Sequence, residues 1–195
     1  MTTPGAAPTG GAGPGPGLVN VANMLTVLRL LLVPVFVACL FGGGTGWRVA
    51  AFVLFWIASA TDLLDGRLAR QRGLVTDFGK VADPIADKAL TGSALISLSV
   101  MHELSWWVTA LILLREVGIT LLRFAVIKRG VIAASRGGKL KTLLQMIAIS
   151  LYVLPGPFGV ARAVVMGLAV AVTLVTGADY VLRAARLGRT GPARA

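Results

Sequence analysis

Four aspartates, Asp62, Asp65, Asp83 and Asp87, stand in the one strongly polar stretch of an otherwise apolar chain, TDLLDGRLARQRGLVTDFGKVADPIADK, from Thr61 to Lys88. Five of the eight acidic residues lie there. An ionised side chain at the centre of a bilayer costs roughly 2.5–3.5 kcal/mol on insertion scales, so such carboxylates are candidates for function. On a helix, Asp62, Asp65, Gly66 and Ala69 fall at i, i+3, i+4 and i+7 and share one face; Asp83 and Asp87 share a face of the next helix. If the two helices fold back on each other across the QRGLVT connection, four carboxylates converge near one end of the pair, with a glycine and an alanine leaving room beside them. Converging carboxylates repel, and a hard cation with oxygen ligands relieves the repulsion. The expected occupant is Mg²⁺ or Mn²⁺, as a pair of ions. The bland alternative is a buried acidic cluster neutralised by arginines, with no chemistry.

The elements that must hold these residues are apolar helices. The chain has 195 residues, 56% of them hydrophobic, and a mean hydropathy of +0.82, which indicates a membrane protein rather than a soluble core. Apolar spans recur at about Met24 to Phe41, Trp47 to Ala69, Phe78 to Met101, Trp106 to Ile127, Leu140 to Leu154 and Phe158 to Leu182. Each approaches the roughly 20 residues that cross the hydrocarbon core, the fifth being the shortest. None shows the period-2 alternation of a membrane β-barrel. The expected fold is therefore an all-α integral membrane protein with six transmembrane helices. Residues 1–17 form a Gly/Pro-rich tail expected to be disordered, residues 18–186 the transmembrane catalytic domain, and residues 187–195 a basic tail. The N-terminal tail has no basic segment beside an apolar core, which argues against a cleaved signal peptide. Trp47, Trp106 and Trp107 open helices, as interfacial anchors do.

A net charge of +11 could indicate nucleic acid, but the basic residues are confined to loops and helix ends. Topology and anionic lipid headgroups explain that distribution better. Arg67, Arg70, Arg72 and Lys80 follow the second span, Lys128, Arg129, Arg136, Lys139 and Lys141 the fourth, and Arg183, Arg186, Arg189 and Arg194 the last; the alternate loops offer only Arg48 and Arg162. The positive-inside rule then places both termini and the aspartates on the cytoplasmic side of the cell membrane. The single cysteine, Cys39, excludes an intramolecular disulfide framework. The single histidine, His102, falls on the far side as a solvated loop residue, which leaves no Ser-His-Asp arrangement and no zinc-spaced cluster.

The spacing D-x2-D-G-x2-A-R-x8-G-x3-D-x3-D resembles the signature of the CDP-alcohol phosphotransferases, met here at all eight positions by Asp62, Asp65, Gly66, Ala69, Arg70, Gly79, Asp83 and Asp87. The resemblance implies a metal-dependent transferase whose four aspartates hold two divalent ions at the pyrophosphate of a CDP-linked substrate, with Asp87 as general base and also a metal ligand. It also implies contacts from Gly66, Arg70, Thr76 and Gly79 to the CDP part, and a homodimer. Asn23-Met-Leu-Thr26-Val-Leu-Arg29 resembles the PNxLTxxR element of the bacterial phosphatidylglycerophosphate synthases within that family, with Ala22 in place of the proline. Asn23 and Thr26 then help to hold the CDP headgroup, although either residue could simply cap the helix.

Arg115-Glu116 with Arg123 and the segment Ser135-Arg-Gly-Gly-Lys139-Leu-Lys141-Thr142 bear on the acceptor. The Arg-Glu pair could be structural, each member compensating the other. The later segment places glycines and two ammonium groups at a helix N-terminus, which suits a phosphate dianion. Both elements resemble those of the bacterial phosphatidylglycerophosphate synthases, and the resemblance implies CDP-diacylglycerol as lipid substrate and glycerol 3-phosphate as acceptor, its phosphate expected to meet Arg123, Lys139 and Lys141. Other acceptors, such as inositol phosphate, would use the same aspartates. A divalent-metal transporter is the reading from a different class, and it requires polar residues continuing toward the other face.

Overall fold

The structure, a computed structural model, describes residues 21–72, 77–126 and 136–189. Six helices account for nearly all of them: α1 Val21–Phe41, α2 Thr45–Arg72, α3 Asp77–Val100, α4 Trp106–Val126, α5 Arg136–Val153 and α6 Gly159–Arg189. No strand occurs among the described residues. Gly42, Gly43 and Gly44 separate α1 from α2. Gly43 and Gly44 take positive φ values of 72° and 82° between α1 and α2, a conformation open to residues without a Cβ.

The bounds follow the apolar spans closely except at the end of α6, which runs seven residues past Leu182 to Arg189, and at α5, which begins at Arg136 and so takes Gly137, Gly138 and Lys139 into its first turn. Thr142 Oγ1 donates to the Gly138 carbonyl at 3.1 Å within that turn. The glycine pair is thus helical. Two helices contain stretches long and apolar enough to cross a membrane, Met24–Phe41 and Gly159–Arg186, with shorter apolar runs at Thr45–Thr61 and Lys88–Val100. The other spans are interrupted by charge: α2 and α3 by their aspartates and basic residues, α4 by Arg115, Glu116 and Arg123.

The core draws on all six helices. Phe36 and Phe55 are buried with ring centroids 5.9 Å apart, and Leu95, Leu98, Ile112, Ile149 and Val153 complete it without exposure to solvent. Burying a side chain of this size is worth about 1.5–3 kcal/mol. The opposite faces of the same helices are just as apolar and lie open: Leu31 and Val35 on α1, Leu114 and Leu121 on α4, Val164 and Val175 on α6. A soluble monomer does not leave apolar faces of this extent in water.

Ion pairs tie the helices at two levels. Near the starts of α2 and α4, Glu103 pairs with Arg48, and Arg162 Nη1 lies 3.9 Å from its other oxygen. Arg48 Nη1 also donates to the Tyr152 carbonyl at 3.4 Å, and the Arg162 guanidinium sits 5.3 Å over the Tyr152 ring. Four separate segments are gathered there. His102, next to this cluster, is exposed, with φ 59°.

The second level lies halfway along α4, where Arg115 bridges to α6. Its Nε donates to the Thr173 carbonyl at 3.2 Å and its Nη2 to Thr176 Oγ1 at 3.0 Å. The close approach depends on Gly177, where a Cβ would stand 3.2 Å from both Cγ and Nε of Arg115. The arginine cannot retreat without giving up these bonds. Gly177→Ala is therefore expected to lower the midpoint of thermal unfolding in detergent, by the equivalent of about 1–3 kcal/mol.

Candidate active site

The backbone sets the aspartates at matched depths. Asp65 and Asp62 lie seven and ten residues before the end of α2 at Arg72, and Asp83 and Asp87 six and ten residues after the start of α3 at Asp77. A connection of four residues joins the two helices, which pack on each other. At 1.5 Å per residue, one aspartate position on each helix lies about 10 Å from the turn and another about 15 Å. The family spacing thus becomes two levels of carboxylate-bearing positions on neighbouring helices. For Asp62, Asp65, Gly66, Arg70, Gly79, Asp83 and Asp87 the structure describes this helical placement and not the side chains; Thr76 lies outside the described residues. Carboxylates are hard oxygen donors, and positions at paired depths suit divalent ions.

Asn23 and Thr26 fall inside α1, since the helix already runs from Val21. Neither is its N-cap. Thr26 and Arg29 lie at i and i+3 and are both buried, at 1% and 0% exposure, so this face of α1 turns inward with its charge. An arginine in an apolar span is a signal the sequence carried openly.

The expected phosphate contacts on α4 and α5 differ in their surroundings. Lys139 and Arg123 are exposed, and the Arg123 guanidinium lies 5.9 Å from the centre of the Tyr180 ring. Lys141 is buried. Residues at i and i+2 leave a helix on different sides, so Lys139 and Lys141 diverge once α5 is helical through both.

Glu116 is where charge collects. It is 5% exposed, and it accepts hydrogen bonds from Lys88 Nζ at 2.5 Å, from Arg115 Nη1 at 3.0 Å, and from Lys141 Nζ. The donors come from α3, α4 and α5, and Lys88 directly follows Asp87 in the chain. One turn beyond Lys141, Gln145 is buried, with its amide nitrogen unpartnered among the described residues. Sequence reading had noticed Arg115 and Glu116 as neighbours; it missed Lys88, whose only signal was an ammonium placed beside the last aspartate of the motif.

An open, largely apolar groove of about 430 Å³ runs between α3 and α4 beside this cluster, lined by Ile85, Ala89, Val117, Leu121 and Phe124, with Lys88 and Thr120 at its polar edge.

Comparison with known proteins agrees with the geometry. A probable phosphatidylglycerophosphate synthase of Mycobacterium tuberculosis is 57% identical over 174 residues, covering 87% of this chain and 83% of that protein. The CDP-diacylglycerol--glycerol-3-phosphate 3-phosphatidyltransferase of Bacillus subtilis is 35% identical over 181 residues, covering 84% of this chain and 94% of that protein. The protein of the same description from Escherichia coli is 39% identical over 137 residues, covering 67% and 75%. The crystal structure of Mycobacterium tuberculosis phosphatidylinositol phosphate synthase in its apo form superposes with a TM-score of 0.63 at 21% identity, covering 88% of this chain and 93% of that one, a likeness of fold. The family model described as CDP-alcohol phosphatidyltransferase matches residues 19–175, which takes in the aspartate-bearing helices, the buried face of α1 and the Glu116 cluster. With its motif complete and its helices in the arrangement of a solved relative, the chain belongs to the CDP-alcohol phosphatidyltransferase family.

Proposed function

We infer that this protein transfers the phosphatidyl group of CDP-diacylglycerol to sn-glycerol 3-phosphate, giving phosphatidylglycerophosphate and CMP. The observation that carries the reading is the shared description of its relatives across the whole helical domain, on a chain that keeps every residue of the motif. The acceptor hydroxyl attacks the phosphorus that bears the diacylglycerol, the bond to the CMP oxygen breaks, and the hydroxyl proton passes to Asp87 as general base. Asp62, Asp65, Asp83 and Asp87 would hold two Mg²⁺ or Mn²⁺ ions, which neutralise charge on the pyrophosphate and the departing CMP. Asn23, Thr26, Gly66, Arg70, Thr76 and Gly79 are assigned to the CDP headgroup. Arg123, Lys139 and Lys141 are assigned to the acceptor phosphate, with Lys141 the one held inside the protein.

The outward apolar faces favour a bilayer with all six helices within it. The exposed Trp47, Trp106 and Trp107 gather at the helix ends nearest Glu103, as an aromatic belt does. The basic residues that follow the second, fourth and last spans in the sequence support, by the positive-inside rule, a reading with the aspartates and both termini in the cytoplasm, where the site would meet a water-soluble phosphate ester. A homodimer in the membrane is part of the same reading.

The test is CMP release by the purified protein in detergent with Mg²⁺, comparing glycerol 3-phosphate, inositol phosphate and serine. Release with glycerol 3-phosphate alone is expected. Release with another acceptor keeps the reaction class and removes the acceptor assignment; metal flux into liposomes without CDP-lipid would favour a transporter.

A further inference from the structure

The geometry points to Glu116 as a positioning residue for the acceptor side of the site: it sets Lys88 and Lys141 in place beside the aspartate-bearing helix and thereby tunes affinity for the phosphorylated acceptor. The inference rests on the transferase reading above. Its basis is the convergence of cations from three helices on one buried carboxylate, Lys88 at 2.5 Å, Arg115 at 3.0 Å and Lys141, with Glu116 itself 5% exposed.

Replacing a buried ion pair by apolar groups often leaves stability unchanged or improved, so stability alone does not account for three cations collected on one carboxylate. The cluster brings more positive than negative charge into a site whose expected ligands, pyrophosphate and phosphate ester, are anionic. Its place in the fold is equally specific. Lys88 follows Asp87 in the chain, so tethering it to α4 holds one cation beside the last aspartate position of the motif. Lys141 lies near the start of α5, in the basic segment assigned to the acceptor. Arg115 anchors the carboxylate from behind by bonding to α6 through Thr173 and Thr176. Glu116 therefore has a fixed seat, and the two lysines take their places from it. Without its charge, the attraction that draws both ammonium groups onto one carboxylate is lost while their mutual repulsion stays.

The test uses the full-length protein in detergent with CDP-diacylglycerol and glycerol 3-phosphate. Glu116→Gln is expected to raise KM for glycerol 3-phosphate by about 10- to 100-fold while KM for CDP-diacylglycerol stays within about twofold. Glu116→Asp keeps the charge but withdraws it by one methylene, and is expected to raise the acceptor KM by only a few-fold, about threefold to fivefold. This second variant carries the test if Glu116→Gln does not fold. Glu103→Gln, which breaks an interhelical ion pair of the same kind at the other end, is the comparison: it is expected to shift the thermal midpoint and neither KM.

The inference is overturned if Glu116→Gln, or failing that Glu116→Asp, lowers thermal stability and the apparent kcat while both KM values hold, as a brace would. Should the wild-type protein accept a different phosphorylated alcohol, the glycerol 3-phosphate reading fails by itself, and the same KM comparison on that acceptor still decides the role of Glu116.

Discussion

Asp87→Asn is expected to abolish CMP release while leaving the protein folded. The amide is the same size and shape as the carboxylate but cannot take the proton of the attacking hydroxyl, and it is a far weaker ligand for a divalent cation. Loss of a general base alone costs roughly 10²- to 10⁴-fold, and lost metal binding adds to it, so turnover should fall to background under conditions where the wild-type protein is saturated. Asp87 lies in the middle of α3, ten residues beyond its start, among backbone bonds that the substitution leaves alone. The thermal midpoint without metal should thus be equal to or above that of the wild type, because one member of a repelling set has been neutralised. An active Asp87→Asn protein would remove this residue from the mechanism.

Chelation should have an effect as large, for a reason that can be read from charge. Two carboxylates within about 4 Å repel by about 4 kcal/mol at an effective dielectric of 20, and four on adjacent helices cannot all stay ionised at close range without a cation. Treatment with EDTA is expected to reduce activity to background, and Mg²⁺ or Mn²⁺ to restore it. Binding should also be visible without turnover. An ion at about 100 times its dissociation constant stabilises the folded state by about 2.7 kcal/mol, so either metal should raise the thermal midpoint of the wild-type protein. Asp62→Asn should blunt that rise. Full activity in EDTA, with no metal-dependent shift, would sink the assignment of the four aspartates.

Much of this architecture was legible in the chain because it is local. Apolar runs of about 20 residues ended by Gly42 to Gly46 or by Pro155 and Pro157 read as helices, and the spans read from composition differ from the observed helices chiefly at the end of α6, where the polar, basic continuation to Arg189 stays helical, and at the start of α5. There Gly137 and Gly138, read as lying at a helix N-terminus, form part of the first turn of α5 itself. The same extension parts Lys139 from Lys141, a divergence that helix geometry implies as soon as both are known to be helical. Capping stands as an alternative for Asn23 and Thr26 in the sequence because the apolar pattern starts at Met24, one turn after the helix does.

The sequence by itself determined six helices, the aspartate positions on two successive faces, and the family through spacing over 26 positions; all of these depend on helical period and separation along one segment. Only the tertiary structure decided which charges meet. Glu116 finds Lys88 and Lys141 at 28 and 25 residues' distance, Glu103 finds Arg48 at 55, and Arg115 reaches α6 rather than serving its neighbour alone. Such pairings depend on the rotation and depth of each helix against the others. Those are fixed by the burial of Phe36, Phe55, Leu95 and Ile149 and by the close approach at Gly177, quantities that no periodicity within a single helix contains.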